Sequence, residues 1–173
     1  MGNSMQKYRE LFTDGRETYT KDRFELRIKE NTEPIYKKPR TVPFALREKI
    51  SRELDRLVKE KVYEPVEANE WATPIVPINK PDGKLRICAD YKVTINQHIL
   101  IDKHHIPSVN EIPAQMHNGV FYSKVDLKEA YAQVEIEEEY KKYFTTNTHV
   151  GLLQPNKLQY GVDSATGFLQ KNM

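Results

Sequence analysis

The apolar stripe Leu46, Ile50, Leu54, Leu57 and Val58 constrains the fold of this chain more than any other feature. Its spacing of three and four residues places the stripe on one face of a helix, with Arg47, Glu48, Arg52, Glu53, Arg56, Lys59 and Glu60 elsewhere around it. Such a stripe is core, not a cofactor box. Further on, Thr73-Pro74-Ile75-Val76-Pro77-Ile78-Asn79 and Lys84-Leu85-Arg86-Ile87-Cys88-Ala89-Asp90-Tyr91 flank Lys80-Pro81-Asp82-Gly83. Apolar alternation around Pro-Asp-Gly predicts a β-hairpin, and Pro77, which cannot donate to a ladder, suits an edge strand. Helix and hairpin together make the fold class α+β.

The rest of the chain is punctuated more weakly. Residues 1 to 30 alternate charges and aromatics without a sustained period and read as a weakly ordered lead-in. Pro34, Pro39 and Pro43 exclude helix from the residues before them, so this stretch is expected to be extended. Ser108-Val109-Asn110-Glu111 has capping-box spacing and Gly119 stands where a helix would stop, which predicts a short helix over residues 109 to 117. Strands are expected at Val120 to Asp126, Ala132 to Ile136 and Lys142 to Thr148. Glu137-Glu138-Glu139 forms a solvated turn or helix start, Val150 to Tyr160 a second hairpin, and Ser164 to Met173 the opening of a helix.

Composition bounds the possibilities. A chain of 173 residues is one ordinary domain that buries about 70 % of its unfolded surface. Ten Tyr and six Phe argue against disorder despite 30 % charged residues. The net charge of +2 hides an asymmetry, since residues 1 to 62 carry 16 Lys and Arg against 11 Asp and Glu, but an excess this small does not by itself indicate nucleic acid. Cys88 is the only cysteine, which excludes an intramolecular disulfide framework and fits a reducing, intracellular compartment. No apolar run approaches the ~20 residues of a membrane span, so no membrane partner is expected.

Short signatures of nucleotide hydrolases, esterases and zinc proteases are missing, and the five histidines show no ligand spacing. What remains is an ordered series. The basic hairpin holds Lys80 and Arg86; Ser123-Lys124-Val125-Asp126-Leu127 follows, with Tyr131 close behind; then comes Leu158-Gln159-Tyr160-Gly161-Val162. Taken alone, a Lys and Arg on a hairpin are most often solvated, and an Asp at a strand end most often caps a turn.

In order, spacing and residue type the series resembles the reverse transcriptases of Ty3/gypsy-type long-terminal-repeat retrotransposons, from Pro34 to Gln170. Val42-Pro43-Phe44-Ala45-Leu46-Arg47, Arg86-Ile87-Cys88-Ala89-Asp90-Tyr91-Lys92 and Asn147-Thr148-His149-Val150-Gly151-Leu152 belong to the same agreement. The resemblance implies the fingers and truncated palm of a right-hand RNA-directed DNA polymerase. It implies that Asp126 is a catalytic residue that binds both of two Mg²⁺ ions, with the backbone carbonyl of Leu127 completing one shell; hard cations take such oxygens. By the same resemblance Lys80 and Arg86 reach the triphosphate of an incoming dNTP, Tyr131 is an aromatic gate against a 2′ hydroxyl, and Tyr160 and Gly161 pack beside the nucleotide. RNA template and RNA/DNA hybrid are the implied partners.

Departures qualify that picture. Gln159 and Thr166 stand where the family pattern has proline, and Gly167-Phe168-Leu169-Gln170 rearranges the usual ending. The Tyr-x-Asp-Asp hairpin that brings the remaining metal carboxylates is not in the sequence, nor are thumb and RNase H regions. The expectation is a fragment inactive by itself, with self-association through an open sheet edge at the Asp126 strand. The rival readings are a host-retained module that binds nucleic acid or interferes with a full-length polymerase, and a relic without function.

Overall fold

The computed structural model describes residues 18–172 apart from 82, 84, 102–109, 113–115, 117, 118 and 125. Strand β1 (Tyr19–Phe24) leads through an extended strap to helix α1 (Phe44–Lys59), followed by β2 (Tyr63–Val66), β3 (Thr73–Asn79) and β4 (Leu85–Ala89). Short 3-10 turns occupy Tyr91–Val93, Ile95–Gln97 and Ala130–Gln133. Then come β5 (Val134–Ile136), α2 (Glu138–Lys141), a 3-10 turn at Lys142–Phe144, β6 (Thr146–Thr148), β7 (Gly151–Pro155) and α3 (Ala165–Asn172). No helix among the described residues is long and apolar enough to cross a membrane.

Five strands form one sheet in the order β2-β7-β6-β3-β4, while β1 and β5 pair in parallel beside it. The expected hairpin is β3–β4, paired from Ile75↔Ala89 to Asn79↔Leu85. Gly83, at φ 77°, closes it by donating its amide to the Lys80 carbonyl at 3.0 Å. By order β3 is interior, yet its neighbour β6 covers only Thr73 and Pro74. At Pro77 the strand is therefore an edge, and the missing N–H leaves no ladder bond unmade.

Helix α1 lays its stripe on this sheet. Ile50 and Leu54 are fully buried, and Leu46, Leu57 and Val58 pack around a core that includes Tyr63, Ile75, Leu85, Ile87 and Leu153. A second core gathers Phe24, Trp71, Tyr91, Ile95, Ile136, Phe144 and Leu158. Its centre is Phe144, edge-on to Tyr91 at 5.5 Å and to Phe24 at 6.0 Å.

Several expectations need correction. The lead-in is described from Thr18 onward, and there it belongs to the fold: Phe24 and Leu26 are buried, and Ile28 bridges Ile99. Phe24 at the end of β1 and Leu26 just beyond it are set among charges and make no pattern. Strand β2 had no sequence signal because it contains Pro65 and a glutamate, which its position at the sheet edge tolerates. Only the end of the strand expected from Lys142 forms, as β6, and its hairpin partner is β7, so the second hairpin is β6–β7 and does not lie within residues 150 to 160.

The largest difference concerns Val120 to Asp126. None of its described residues is in a strand, and Val120 and Phe121 are 83 % and 86 % exposed. A strand requires a ladder partner and cover for one face; the described residues provide neither here. The open sheet edge expected at Asp126 is accordingly not found among them. Of the helix expected over residues 109 to 117, Glu111 and Ile112 are helical, the Met116 amide donates to the Ile112 carbonyl at 3.0 Å, and most of the remainder lies outside the described residues.

Candidate nucleotide site

Strand β4 sets the orientation. Leu85, Ile87 and Ala89 are buried, so Arg86 and Cys88 point to the opposite face of the strand. The Arg86 guanidinium lies over the Tyr160 ring, 4.7 Å from its centroid, a cation–aromatic contact. Tyr160 is held there by the turn that follows it. Gly161 adopts φ 92°, and a Cβ on it would come within 3.3 Å of the Ala89 carbonyl. The turn thus lies against the end of β4, where only glycine fits without strain. Asn96 fixes it from the other side, donating to the Gly161 carbonyl at 2.7 Å and to the Asp163 carboxylate at 2.8 Å.

Tyr131, in the 3-10 turn before β5, meets the Tyr160 ring edge-on at 4.7 Å and 69°. Its phenolic oxygen lies 3.2 Å from Thr166 Oγ1 in the first turn of α3. Arg86, Tyr160, Tyr131 and Thr166 thus form a ladder whose members come from separate elements. The residue that opens the 3-10 turn, Glu129, has φ 51°, a left-handed conformation that costs a residue with a Cβ about 1 to 2 kcal/mol. Burial pushes the Tyr160 phenol up from its ordinary range; the Arg86 guanidinium opposes this and the Glu129 carboxylate adds to it. Burial likewise pushes the Cys88 thiol up, against the pull of Arg86.

Gln159, one of the departures from the family pattern, is buried just behind the ladder. It accepts a hydrogen bond from the Tyr63 hydroxyl at 2.8 Å and donates to the Lys157 carbonyl at 2.7 Å. Proline could make neither bond. The sequence marks Gln159 and Thr166 as unusual without saying what they hold. Asn96 carries no local signal, because its partners are 65 and 67 residues away.

The remaining sequence-predicted residues stand apart from this group. Lys80 is half-buried at the foot of the β3–β4 connection, which α1 braces through a bond from Lys49 Nζ to the Gly83 carbonyl at 2.7 Å. Asp126 is exposed and Leu127 is 45 % exposed, both in the irregular stretch before Glu129. Among the described residues no hydrogen bond or ion pair joins Asp126 to the ladder. Among the described residues no group of three or more His, Cys, Asp or Glu side chains could hold a metal ion. One carboxylate and one carbonyl supply too few oxygens for two Mg²⁺ ions, so the described residues do not by themselves fit that metal pair.

Known proteins bear on this arrangement. No protein-family model matches the chain. It is 38 % identical over 166 residues to the Caenorhabditis elegans protein K02A2.6, itself uncharacterized, covering 95 % of this chain and 13 % of that protein. It is 27 % identical over 155 residues to the retrovirus-related Pol polyprotein of transposon 412 from Drosophila melanogaster, covering 86 % and 12 %. Among solved structures, prototype foamy virus protease-reverse transcriptase superimposes with a TM-score of 0.83 at 18 % identity, over 99 % of this chain and 23 % of that one. A foamy viral protease-reverse transcriptase bound to an RNA/DNA hybrid gives 0.77 at 15 % identity, over 98 % and 23 %. The chain spans about an eighth of the length of these curated relatives. Its homologues include retroelement Pol polyproteins, and its mixed α/β fold is that of the corresponding part of the foamy virus protein.

Proposed function

We propose that this chain is the fingers and first part of the palm of a Ty3/gypsy-type retrotransposon RNA-directed DNA polymerase, and that the Arg86–Tyr160–Tyr131 ladder is its face for an incoming dNTP. The observation that carries this reading is the convergence itself. Arg86, Tyr131 and Tyr160 are dispersed in sequence yet meet within ring-contact distance, with Gly161 holding the turn. Arg86 presents a planar cation suited to phosphate oxygens, and Lys80, earlier on the same hairpin, is proposed as a second cation for the same anion. In this reading Tyr131 is the aromatic gate that limits a 2′ substituent on the sugar. RNA template and RNA/DNA hybrid are the polymeric partners in this reading, which the hybrid-bound foamy virus relative supports.

Asp126 and the Leu127 carbonyl are proposed as ligands for Mg²⁺, together with carboxylates that the described residues do not include. When bound, the metal pair would supply stabilisation of the entering and leaving oxygens. This chain's own residues bind and orient: Lys80 and Arg86 hold the triphosphate, and the tyrosines form the wall beside base and sugar.

The test is calorimetric titration of the 173-residue protein with dGTP in Mg²⁺. Charge-assisted hydrogen bonds are worth about 1.5 to 3 kcal/mol each, so Lys80→Ala with Arg86→Ala is expected to weaken binding at least tenfold, thermal melts confirming that the variant folds. Equal affinity of variant and wild type would sink the reading. Template-directed incorporation by the same protein is expected to be undetectable, since a single carboxylate cannot hold the metal pair.

A further inference from the structure

We infer that Thr166 is a positioning residue that fixes the Tyr131 phenol and thereby sharpens the choice of sugar; this rests on the nucleotide reading above. Tyr131 is half-buried at the end of the aromatic ladder. Its contact with Tyr160 is edge-on at 4.7 Å, which restrains one side of the ring and leaves the hydroxyl end free to swing. The hydroxyl end is restrained from elsewhere, by Thr166 Oγ1 at 3.2 Å.

The hydroxyl that restrains it sits on a firm support. Thr166 lies in the first turn of α3, where the Ala165 side chain is buried and its amide donates to the Val162 carbonyl at 3.1 Å. Phe168 in the same helix packs edge-on against Phe24 of β1 at 5.4 Å. The Thr166 hydroxyl therefore reports the position of the second core to Tyr131, across 35 residues of sequence. A ring that excludes a 2′ hydroxyl by contact does so only while its rotamer is held, and a ring free to turn aside admits the larger sugar. Proline at this position, the residue of the family pattern, offers no side-chain donor or acceptor. Here the Tyr131–Thr166 pair adds a restraint that such a sequence would lack.

Thr166→Val keeps the shape and removes the hydroxyl, whereas Thr166→Ser keeps the hydroxyl. Affinities for dGTP and GTP in Mg²⁺ are measured on the full 173-residue chain, and the Tyr131 ring is followed by NMR through its ring-carbon shifts and flip rate. Thr166→Val is expected to lower the dGTP-to-GTP preference by about 2- to 10-fold, the range of one modest hydrogen bond, and to speed the Tyr131 flip. Thr166→Ser is expected to restore both. Unchanged Tyr131 signals and an unchanged preference in Thr166→Val overturn the inference. Wild-type protein that binds neither triphosphate overturns the nucleotide reading and the sugar role with it. The NMR comparison then still decides whether Thr166 holds Tyr131.

Discussion

The ladder side and the Asp126 side of the proposed site are built by different means. On the ladder side each residue finds partners within the fold: Arg86 on Tyr160, Tyr160 on Tyr131, Gly161 against β4, and Gln159 between Tyr63 and the Lys157 carbonyl. On the Asp126 side Val120, Phe121, Tyr122 and Leu127 are all exposed, and the described backbone joins no ladder. Side-chain contacts between elements already packed can assemble half a site. A carboxylate at a strand end needs the strand, and the strand needs a neighbour for its backbone and a cover for its apolar face.

The sharpest way to break this comparison is to truncate one aromatic in the second core, against which Tyr131 packs, and one on the Asp126 side. Phe144 is fully buried between Phe24 and Tyr91, so Phe144→Ala is expected to cost about 3 to 5 kcal/mol in denaturant melts. Phe121 is 86 % exposed, and Phe121→Ala should change stability by less than about 0.5 kcal/mol while reducing aggregation. Comparable losses from the two would mean that the Asp126 side is packed after all.

Glycines give a finer test. Gly161→Ala forces a Cβ to 3.3 Å from a backbone oxygen at φ 92°, and is expected to cost about 1 to 3 kcal/mol and to weaken dGTP binding along with it. At Gly119 the nearest atoms an added Cβ meets belong to the exposed Tyr122 side chain, which can move aside by giving up its hydroxyl bonds to the Met116 and Gly119 carbonyls for bonds to water, so Gly119→Ala should stay within about 1 kcal/mol. Equal effects at the two glycines in chemical denaturation would again erase the contrast.

What the sequence revealed follows from the same division. The α1 stripe and the β3–β4 hairpin were legible because their periods persist long enough to be counted, and the hairpin also carries its own turn residues. Strands β1 and β2 were not, since each buries few side chains and sits at an edge where charge and proline are tolerated. Arg86, Tyr131, Tyr160 and Gly161 were legible only as members of a family pattern; that they touch depends on pairings between distant segments, which no local spacing encodes. Asn96, Gln159 and Thr166 show the limit most clearly, because each acts through a partner 35 or more residues away. The apolar run before Asp126 misled for the opposite reason. Val120-Phe121-Tyr122 has the composition of a strand, but composition does not supply the partner.

The last expected effect concerns how β1 and β5 are joined. Glu135 on β5 accepts from Lys157 Nζ at 3.1 Å and pairs with Arg23 Nε of β1 at 3.3 Å. The Lys157 hydrogen bond chiefly holds the Glu135 carboxyl below its ordinary value; burial, the next largest influence, opposes this, and the charges of Lys157, Arg23 and Lys141 add to the lowering. A carboxyl lowered on folding binds fewer protons in the native state than in the unfolded one. Its contribution is therefore complete above the ordinary glutamate range near 4.5 and disappears as pH falls through the lower native value. Because the side chain is 38 % exposed, solvent screens the pair and the effect at neutral pH should stay within about 1 kcal/mol. Urea midpoints measured from pH 7 to pH 3 should fall more steeply at the acid end for wild type than for Glu135→Gln, and added salt should narrow the difference. Parallel acid limbs for the two proteins would show that this ion pair does not tie β1 to β5, the strand that follows the Tyr131 turn.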